Sequence, residues 1–327
     1  MLADREGVSG PRGAGTLWAM SKDFFADTVS AGRRLRASMD RGCVAAPGAF
    51  NALCARAIAK AGFEACYISG AATSVSAGVP DVGLLTMEHF CRVIRESADA
   101  SGLPVMADAD TGFGEAEMVR RTVVEYARAG AAGLHIEDQK FPKRCGHLDG
   151  KELIPVDHMA EKVRWACAAR SATPEGDGFV VCARTDARGV EGFDAAVARA
   201  RAYVEAGADM IFPEGLASEG EFEGFAKGLR SVVGGAPVYL LANMTEFGKT
   251  PMIPLPRFAA MGYSLVIYPV SLLRVAMGAA ARALEILKRE GTFEPILGQM
   301  QSRKELYDLI GYTPGEPWEF PGGGARP

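Results

Sequence analysis

The sequence lacks several patterns that would assign it to a protein class directly. Its 327 residues contain no CxxC pair, no GxGxxG motif and no run of about 20 apolar residues. The seven cysteines, an odd number without paired spacings, argue against a disulfide framework and against a zinc site. Residues 1–20 lack the apolar segment of a secretory signal. We therefore predict a cytoplasmic protein with no membrane partner.

A strong excess of charge of either sign is also missing. The chain has 36 Lys and Arg against 40 Asp and Glu, a formal net charge of −4, and its basic residues are scattered. A nucleic-acid surface needs a concentrated basic patch, so we predict no nucleic-acid partner. Hydrophobic residues at 48% and charged residues at 23% are ordinary for a globular protein. A chain of this length can bury a sizeable core without disulfides.

Eight short apolar runs alternate with helical segments along the chain. The runs lack the polar alternation of half-exposed strands, which is typical of strands buried in a parallel sheet. Eight such strands separated by helices predict a (β/α)8 TIM barrel, whereas a doubly wound open sheet, the alternative, typically has fewer strands. The runs span residues 44–50, 65–70, 104–110, 133–138, 179–187, 209–214, 238–243 and 265–270.

The composition of the two ends differs from that of the middle. Residues 1–20 are rich in Gly and are predicted to form a flexible extension. Residues 21–312 are predicted to form one barrel domain, with the segment 275–291 as the helix after the eighth strand and a further helix beyond it. Residues 313–327, interrupted by Pro and Gly, are predicted to form a flexible tail.

Polar residues follow most of the predicted strands. Parallel barrels carry their active sites at the carboxyl ends of the strands, so these residues are candidates for function. Capping of the next helix is the alternative role for each of them. Acidic groups opposite Arg and Asn suit an anionic ligand held beside a cation. The candidates are Asn51, Ser69, Gly70, Asp108, Asp110, Glu137, Asp138, Arg184, Asp186, Glu214, Asn243, Ser271 and Arg274.

The segment ADADTGFG (107–114) predicts a metal site. Asp108 and Asp110 lie two residues apart at a strand end, so both carboxylates face the same side. Two carboxylates at a barrel mouth repel each other unless a cation neutralises them, and oxygen ligands favour Mg²⁺ or Mn²⁺. Glu137 and Asp138 on the next strand could reach the same ion. The alternative is that Asp110 only caps a turn.

The loop after the fourth run, residues 138–152, surrounds one cysteine with positive charge. Cations flanking Cys145 favour its thiolate and let it exchange a proton near neutral pH. Such a loop can also close over an anionic substrate. A basic surface loop with an incidental cysteine is one alternative, and an imine-forming Lys143 is another. The cations are Lys140, Lys143, Arg144, His147 and Lys151.

The motif KRCGH (143–147) resembles the signature of the isocitrate lyase and phosphoenolpyruvate mutase superfamily, and specifically its lyases. The similarity extends over residues 40–312, and its later motifs most resemble the enzymes that split 2-methylisocitrate into succinate and pyruvate. Lyases acting on isocitrate, 2,3-dimethylmalate or another alkylmalate are the alternatives. The motifs, in order, are YISGAA, GVPDVGLLT, ADADTGFG, HIEDQ, FPKRCGHLDGK, ARTDA, FPE, NMTEFGKTP, VIYPVSLLR and QSRKELYD.

The resemblance implies a set of site residues. Asp108 and Asp110 would hold Mg²⁺ (Mn²⁺ is possible), with Asp81 and Glu137 in its outer shell. Ala71 departs from the Gly of many relatives, which leaves backbone contacts intact but could change the pocket shape. The residues expected to contact a dicarboxylate or tricarboxylate substrate are Ser69, Gly70, Ala71, Gly146, Glu214, Asn243, Met244, Thr245, Arg274 and Arg303.

The resemblance also implies an assembly and a reaction. Relatives form homotetramers that exchange a C-terminal helix between neighbouring subunits. The reaction expected is a retro-aldol cleavage in which Cys145 donates a proton to the carbanion that forms. Tyr67 is the candidate base. Arg184 and His147, with Asn243, are expected to stabilise the carbanion.

Overall fold

The computed structural model describes residues 29–144, 146, 150–230, 238–248 and 250–318. Within them, eight parallel strands form a single sheet, and each falls inside or beside one of the eight apolar runs. The strands are β1 (Val44–Pro47), β2 (Cys66–Ile68), β3 (Val105–Asp108), β4 (Ala131–Glu137), β5 (Val180–Thr185), β6 (Met210–Pro213), β7 (Tyr239–Asn243) and β8 (Leu265–Tyr268).

From β2 to β8 each strand pairs with the next one in the chain, and β8 also pairs with β1. The remaining seam, between β1 and β2, is joined by a parallel bridge from Gly48 to Tyr67, where the Ala49 N–H donates to the Tyr67 carbonyl at 2.9 Å. The sheet is thus a nearly closed barrel with its helices outside, and the predicted (β/α)8 fold is confirmed.

The helices occupy the intervals between the strands, as predicted. The helix at Ala116–Arg128 shows how they pack: Val119, Val123, Tyr126 and Ala127, three to four residues apart, form one buried stripe, with the half-buried Met118 at its edge. The helices are α1 (Ala31–Arg41), α2 (Ala52–Lys60), α3 (Gly70–Ser76), α4 (Met87–Ser101), α5 (Ala116–Arg128), α6 (Val156–Ala169), α7 (Phe193–Glu205), α8 (Glu219–Arg230), α9 (Leu255–Met261), α10 (Ser271–Glu290) and α11 (Arg303–Ile310). Short 3-10 turns cover Arg170–Ala172, Gly176–Gly178, Ala187–Gly189 and Glu294–Gln299.

Three of these helices differ from the sequence prediction. Helix α1 precedes the barrel, and α3 directly follows β2; neither was predicted. Helix α10 begins at Ser271, four residues before the predicted segment 275–291. The predicted extension 1–20 and residues 319–327 of the predicted tail lie outside the described residues.

The core has two layers. Inward-facing residues of the strands, such as Met106 and Leu241, fill the barrel, and Leu35 and Met39 of α1 belong to the same cluster. Helix α1 therefore packs its apolar face against the barrel interior. A larger cluster lies between the outer face of the sheet and the surrounding helices. Among the described residues, no helix has both the length and the apolar character needed to cross a membrane.

Candidate active site

Strand β3 ends in the two aspartates that the sequence singled out. Asp108 Oδ2 accepts from the Gly70 N–H at 3.0 Å, and its Oδ1 accepts from the Asp110 N–H at 2.9 Å. Asp110 adopts a positive φ of 46°, which turns the chain back toward the mouth of the barrel. Burial and the neighbouring Asp108 raise the pKa of Asp110 to about 6. The paired carboxylates therefore need a nearby cation to stay charged together.

Glu137, at the end of β4, is fully buried beside these aspartates. Burial raises the pKa of its carboxyl group well above the usual value, although Arg184 and Lys143 oppose that effect. Neither of its oxygens accepts a hydrogen bond of good geometry within the described residues, and Arg184 Nη1 lies 3.2 Å from Oε2. These oxygens remain available to a ligand.

The neighbouring Asp138, which the sequence offered as a further metal ligand, has another role. Its carboxylate accepts from Thr185 Oγ1 at 2.8 Å, from the Asp186 N–H at 2.9 Å and from the Tyr203 hydroxyl at 2.8 Å. Because successive residues of a strand point to opposite faces, Asp138 turns away from Glu137. It anchors the end of β5 instead.

Lys143 places its ammonium group between the carboxylates. Its Nζ pairs with Asp81 Oδ1 and lies 2.7 Å from Asp110 Oδ1. Burial alone would lower the pKa of this amine, but the attraction of Glu137, Asp110 and the other acids outweighs it and raises the pKa. The amine stays protonated, so the geometry does not favour the imine-forming alternative.

Tyr67 and His135 form a buried pair beneath the aspartates. The Tyr67 hydroxyl lies 2.7 Å from His135 Nε2, and His135 Nδ1 lies 3.7 Å from Asp108 Oδ1. Burial lowers the pKa of His135 to about 4, so its ring is neutral at pH 7. Burial also raises the pKa of Tyr67 well above its usual value. A neutral imidazole is thus positioned to share a hydrogen bond with the phenol.

Arg184, at the end of β5, is the central cation on the side of the site opposite the two aspartates. Its Nε donates to Asp186 Oδ2 at 2.9 Å, and its Nη2 lies 3.5 Å from Glu214 Oε2. The guanidinium carbon lies 5.2 Å from the centre of the Phe212 ring. These contacts fix one face of the planar cation and orient it for an anionic partner.

The loop that leaves β4 folds back across this arginine. Its two arms pair through the Lys140 N–H, which donates to the Glu152 carbonyl at 2.8 Å. The Gly146 backbone packs so closely on Arg184 and Glu214 that a Cβ there would lie 2.5 Å from Glu214 Cγ. Lys151 donates to the Gly146 carbonyl and to Asp186 Oδ1, the latter at 2.8 Å. A side chain at this position would force the Arg184 and Glu214 side chains to shift.

Two catalytic candidates belong to a part of this loop that the structure does not describe. Cys145 and His147 lie outside the described residues, so their predicted roles remain predictions. Gly146 between them is described and lies against Arg184.

The remaining substrate-binding candidates divide into those near this centre and those apart from it. Ser69 caps α3 by accepting from the Ala72 N–H at 3.2 Å, which aims the Gly70 N–H at Asp108. The half-buried Ala71 follows Gly70 in the first turn of α3. Asn243 donates to Glu214 Oε2 at 3.2 Å. The buried Met244 and Thr245 follow at the end of β7.

Arg274 and Arg303 are less closely connected to the centre. Arg274 donates to Glu246 Oε2 at 2.8 Å and stacks on Phe247 at the end of β7. Arg303 is exposed in the first turn of α11, which packs on α2, and no contact within the described residues joins it to the site. One chain alone does not bring Arg303 to the other candidates.

The acidic side chains at the barrel mouth have the chemistry that a divalent ion needs. Within the described residues, no three His, Cys, Asp or Glu side chains are arranged to hold a metal as they stand. Their chemistry fits nonetheless, because carboxylate oxygens are the ligands that Mg²⁺ prefers and both oxygens of Glu137 lack hydrogen-bond partners there. The side chain that stands between the carboxylates is Lys143.

Sequence reasoning missed two functional contacts of the loop. It offered Lys143 as a loop cation or an imine-forming lysine, and it gave Lys151 no individual role. Both are loop residues whose partners, Asp81 and Asp186, lie far away in the sequence. The density of basic residues from Lys140 to Lys151 was the available signal, but it does not identify the partners.

A (β/α)8 barrel with a buried acidic centre at the carboxyl ends of its strands defines a barrel enzyme. The profile of the phosphoenolpyruvate phosphomutase family matches residues 34–288. The chain belongs to this family and to the superfamily that it shares with isocitrate lyase. It is an enzyme of a superfamily of carbon–carbon lyases and mutases, and the predicted family resemblance is confirmed.

Individual relatives are similar over most of the chain. A 2-methylisocitrate lyase of Aeropyrum pernix is 49% identical over 272 residues, which cover 83% of this chain and 84% of the relative. A crystal structure of 2,3-dimethylmalate lyase is 38% identical, with a TM-score of 0.78 and coverage of 87% and 92%. Phosphonopyruvate hydrolase in complex with oxalate and Mg²⁺ is 33% identical, with a TM-score of 0.76 and coverage of 86% and 95%.

Proposed function

We propose that this enzyme cleaves 2-methylisocitrate into succinate and pyruvate in a Mg²⁺-dependent reaction, with Cys145 as the general acid. The observation that carries the proposal is the contact of Gly146 with Arg184 and Glu214. It brings the backbone of the KRCGH loop to the cationic side of the acidic centre. A substrate with several carboxylates would be held there between Arg184 and the acidic residues that would hold the ion.

The acidic residues would hold Mg²⁺ at the end of β3. Asp108 and Asp110 are the proposed direct ligands, and Asp81 and Glu137 would act through water. When bound, Mg²⁺ lowers the pKa of the substrate hydroxyl and orients the carbonyl that leaves. The Gly70 N–H, fixed on Asp108 Oδ2, keeps that carboxylate in one orientation.

Proton removal would run through the buried pair. Tyr67 is protonated at neutral pH because burial raises its pKa. To act as the base it would first lose that proton to solvent; the phenolate would then take the proton of the substrate hydroxyl while His135 Nε2, 2.7 Å away, keeps a hydrogen bond to the phenol oxygen. The carbon–carbon bond then breaks, pyruvate leaves, and the bonding electrons stay on the succinate carbon.

Proton delivery would complete the reaction. Arg184 and Asn243, together with His147, would stabilise the carbanion as it delocalises into its carboxylate. Cys145 would donate its thiol proton to that carbon, leaving a thiolate that the cations of the loop stabilise. The products are succinate and pyruvate, and the atoms balance without another reactant.

A second substrate class is favoured by one comparison. The similarity to 2,3-dimethylmalate lyase covers 87% of this chain. One methyl group in a pocket is worth only about 1–3 kcal/mol of discrimination, so 2,3-dimethylmalate, isocitrate and other alkylmalates are the competing substrates. If 2-methylisocitrate is preferred, the enzyme would act in the methylcitrate route of propionate degradation, in the cytoplasm.

The assembly proposed is a homotetramer that exchanges its C-terminal helices. Exposed apolar side chains on α10 support it, because surfaces of this kind are usually covered by a partner. Helix exchange would also be a way to bring Arg303 toward a neighbouring subunit's site. These side chains are Leu272, Val275, Met277 and Leu284.

A substrate panel tests the proposed activity. The purified enzyme is stripped with EDTA, supplied with Mg²⁺, and offered 2-methylisocitrate, isocitrate and 2,3-dimethylmalate, and the release of 2-oxoacid is measured. We expect pyruvate from 2-methylisocitrate at the highest kcat/KM, and no activity until Mg²⁺ is restored. A higher kcat/KM for 2,3-dimethylmalate would transfer the assignment to that substrate. No 2-oxoacid from any of the three would refute the proposal.

A further inference from the structure

Lys143 is the least exposed of the described lysines in the loop that carries Cys145. Its side chain is only 2% exposed, although it belongs to a loop whose other lysine on the same arm, Lys140, is 63% exposed. The Lys143 ammonium pairs with Asp81 from the connection between α3 and α4 and with Asp110 from the end of β3. It therefore joins the loop to two separate elements of the barrel mouth.

The backbone next to Lys143 is fixed by a separate set of contacts. The Gln139 side chain accepts from the Arg144 N–H at 2.8 Å and donates to the Arg144 carbonyl at 2.9 Å. These bonds hold the turn but connect the loop only to itself. The ion pairs of Lys143 and the packing of Gly146 are contacts that tie this arm of the loop to the site.

We propose that Lys143 is a positioning residue that docks the loop by pairing with Asp81 and Asp110, and that it competes with the divalent ion for these two carboxylates. This inference rests on the proposed function, because the same carboxylates are assigned there to Mg²⁺. Because Lys143 and the ion share these carboxylates, docking of Lys143 lowers the affinity for Mg²⁺, and bound Mg²⁺ weakens the docking of Lys143 by the same factor.

The competition gives the substrate a further role. An ammonium and a divalent ion beside one another at the same carboxylates repel each other, so the ion alone loosens the docked loop. A substrate with three carboxylates brings new negative charge between them and Arg184. The loop is then docked and the ion bound at the same time only when the substrate is present. The loop that carries Cys145 is therefore docked when the carbanion has to be protonated.

Calorimetry with Mg²⁺ as the only ligand measures the coupling. We expect Lys143→Met to bind Mg²⁺ on the order of tenfold more tightly than the wild type. Lys143→Arg retains the charge and should bind as the wild type does. The matched control is Lys140→Met, which removes one positive charge from the same arm of the loop. Lys140 pairs with the exposed Glu152, so this variant should bind Mg²⁺ as the wild type does.

Hydrogen exchange of the loop amides provides the second measurement. In the wild type, exchange in residues 138–152 should be slow, become faster on adding Mg²⁺, and slow again when pyruvate and succinate are added with Mg²⁺. In Lys143→Met the exchange should be fast before any metal is added. Circular dichroism establishes that each variant is folded.

The outcomes separate the two proposals. Equal or weaker Mg²⁺ binding by Lys143→Met, or loop exchange as slow as in the wild type, overturns the competition. If the wild type binds no Mg²⁺ at pH 7.5, the metal assignment of the proposed function fails and the competition fails with it. Mg²⁺ binding by the wild type that Lys143→Met leaves unchanged removes only the inference about Lys143.

Discussion

At the scale of single residues, burial sets the charges on which the chemistry depends. His135 and Asp110 lie within one site, yet burial keeps the first neutral, with a pKa near 4, and raises the pKa of the second to about 6. A neutral His135 can share a hydrogen bond with the Tyr67 hydroxyl. A carboxyl group such as Asp110 stays charged at neutral pH when a cation, Lys143 or a metal, lies against it.

The cysteines provide a test at this scale. Burial raises the pKa of Cys43, Cys91 and Cys167 to about 11 and that of Cys66 to about 12. At pH 7.5 their thiolate fraction is on the order of 0.1% or less, because a raised pKa leaves the unreactive thiol dominant until the pH approaches that value. Cys145, flanked by cations in the sequence, is expected to be the fast-reacting thiol.

Labelling with a thiol reagent at pH 7.5, followed by peptide mass mapping, measures this difference. One thiol should react fast, in the peptide that contains Cys145, and Cys145→Ser should abolish the fast phase. Cys43, Cys66, Cys91 and Cys167 should begin to react only as the pH rises above about 10. Fast labelling of Cys43 or Cys167 in place of Cys145 would contradict the assignment of the reactive thiol.

Contacts between residues far apart in the sequence could not be predicted from local sequence patterns. Asp108 and Asp110 were found because two residues on one strand share a face whatever the fold. The pairing of Lys143 with Asp81 spans 62 residues and depends on how a loop folds back over the barrel. The role of Asp138 was missed for the same reason, since its partner Tyr203 lies on α7.

At the scale of elements, the strands were predictable and two helices were not. Strands buried on both faces are continuous apolar runs, which remain visible in a single sequence. Helix α1, with the sequence AGRRLRASMDR, shows little apolar character, and Leu35 and Met39 matter only because the barrel interior covers them. Helix α3 has seven residues rich in Ser and Ala, so its formation depends on the Ser69 cap and on packing.

The seam between β1 and β8 gives the element-scale test of the barrel, because Gly48 follows β1 and packs on the backbone that follows β8. A Cβ at Gly48 would lie 2.7 Å from the Pro269 carbonyl carbon and 2.9 Å from the Tyr268 oxygen, both of them backbone atoms. Gly48→Ala should therefore lower the free energy of unfolding by about 2–3 kcal/mol.

Urea denaturation followed by circular dichroism measures that loss. The control is Gly42→Ala, because Gly42 has an extended φ of 165° and no atom of the described residues lies within 4 Å of the position that a Cβ would take there. Its midpoint should stay at the wild-type value. Equal midpoints for Gly48→Ala and the wild type would show that the strands do not meet at Gly48 as described.

At the scale of the whole molecule, the exposed side of α10 predicts an assembly. Val275 is 69% exposed and Leu284 is 61% exposed, although both are apolar residues of a 20-residue helix. Burying such a face in a partner is favourable. The double variant Val275→Lys, Leu284→Lys should convert the proposed tetramer to a smaller species.

Light scattering after size exclusion gives the mass directly. Phe63→Lys, at an exposed apolar position after α2, is the control and should keep the wild-type mass. A tetramer that persists in the double variant would place the interface elsewhere. A monomeric wild type would refute the assembly.

The most direct measurement of the central claim is the rate of pyruvate release from 2-methylisocitrate, with Mg²⁺ present, by the wild type and by Cys145→Ser. Loss of the proton donor should lower kcat by about 10²–10⁴-fold while calorimetry shows unchanged Mg²⁺ binding. Cys43→Ser, a half-buried thiol just before β1, is the control and should retain full activity. A Cys145→Ser enzyme with near-normal kcat would contradict the account.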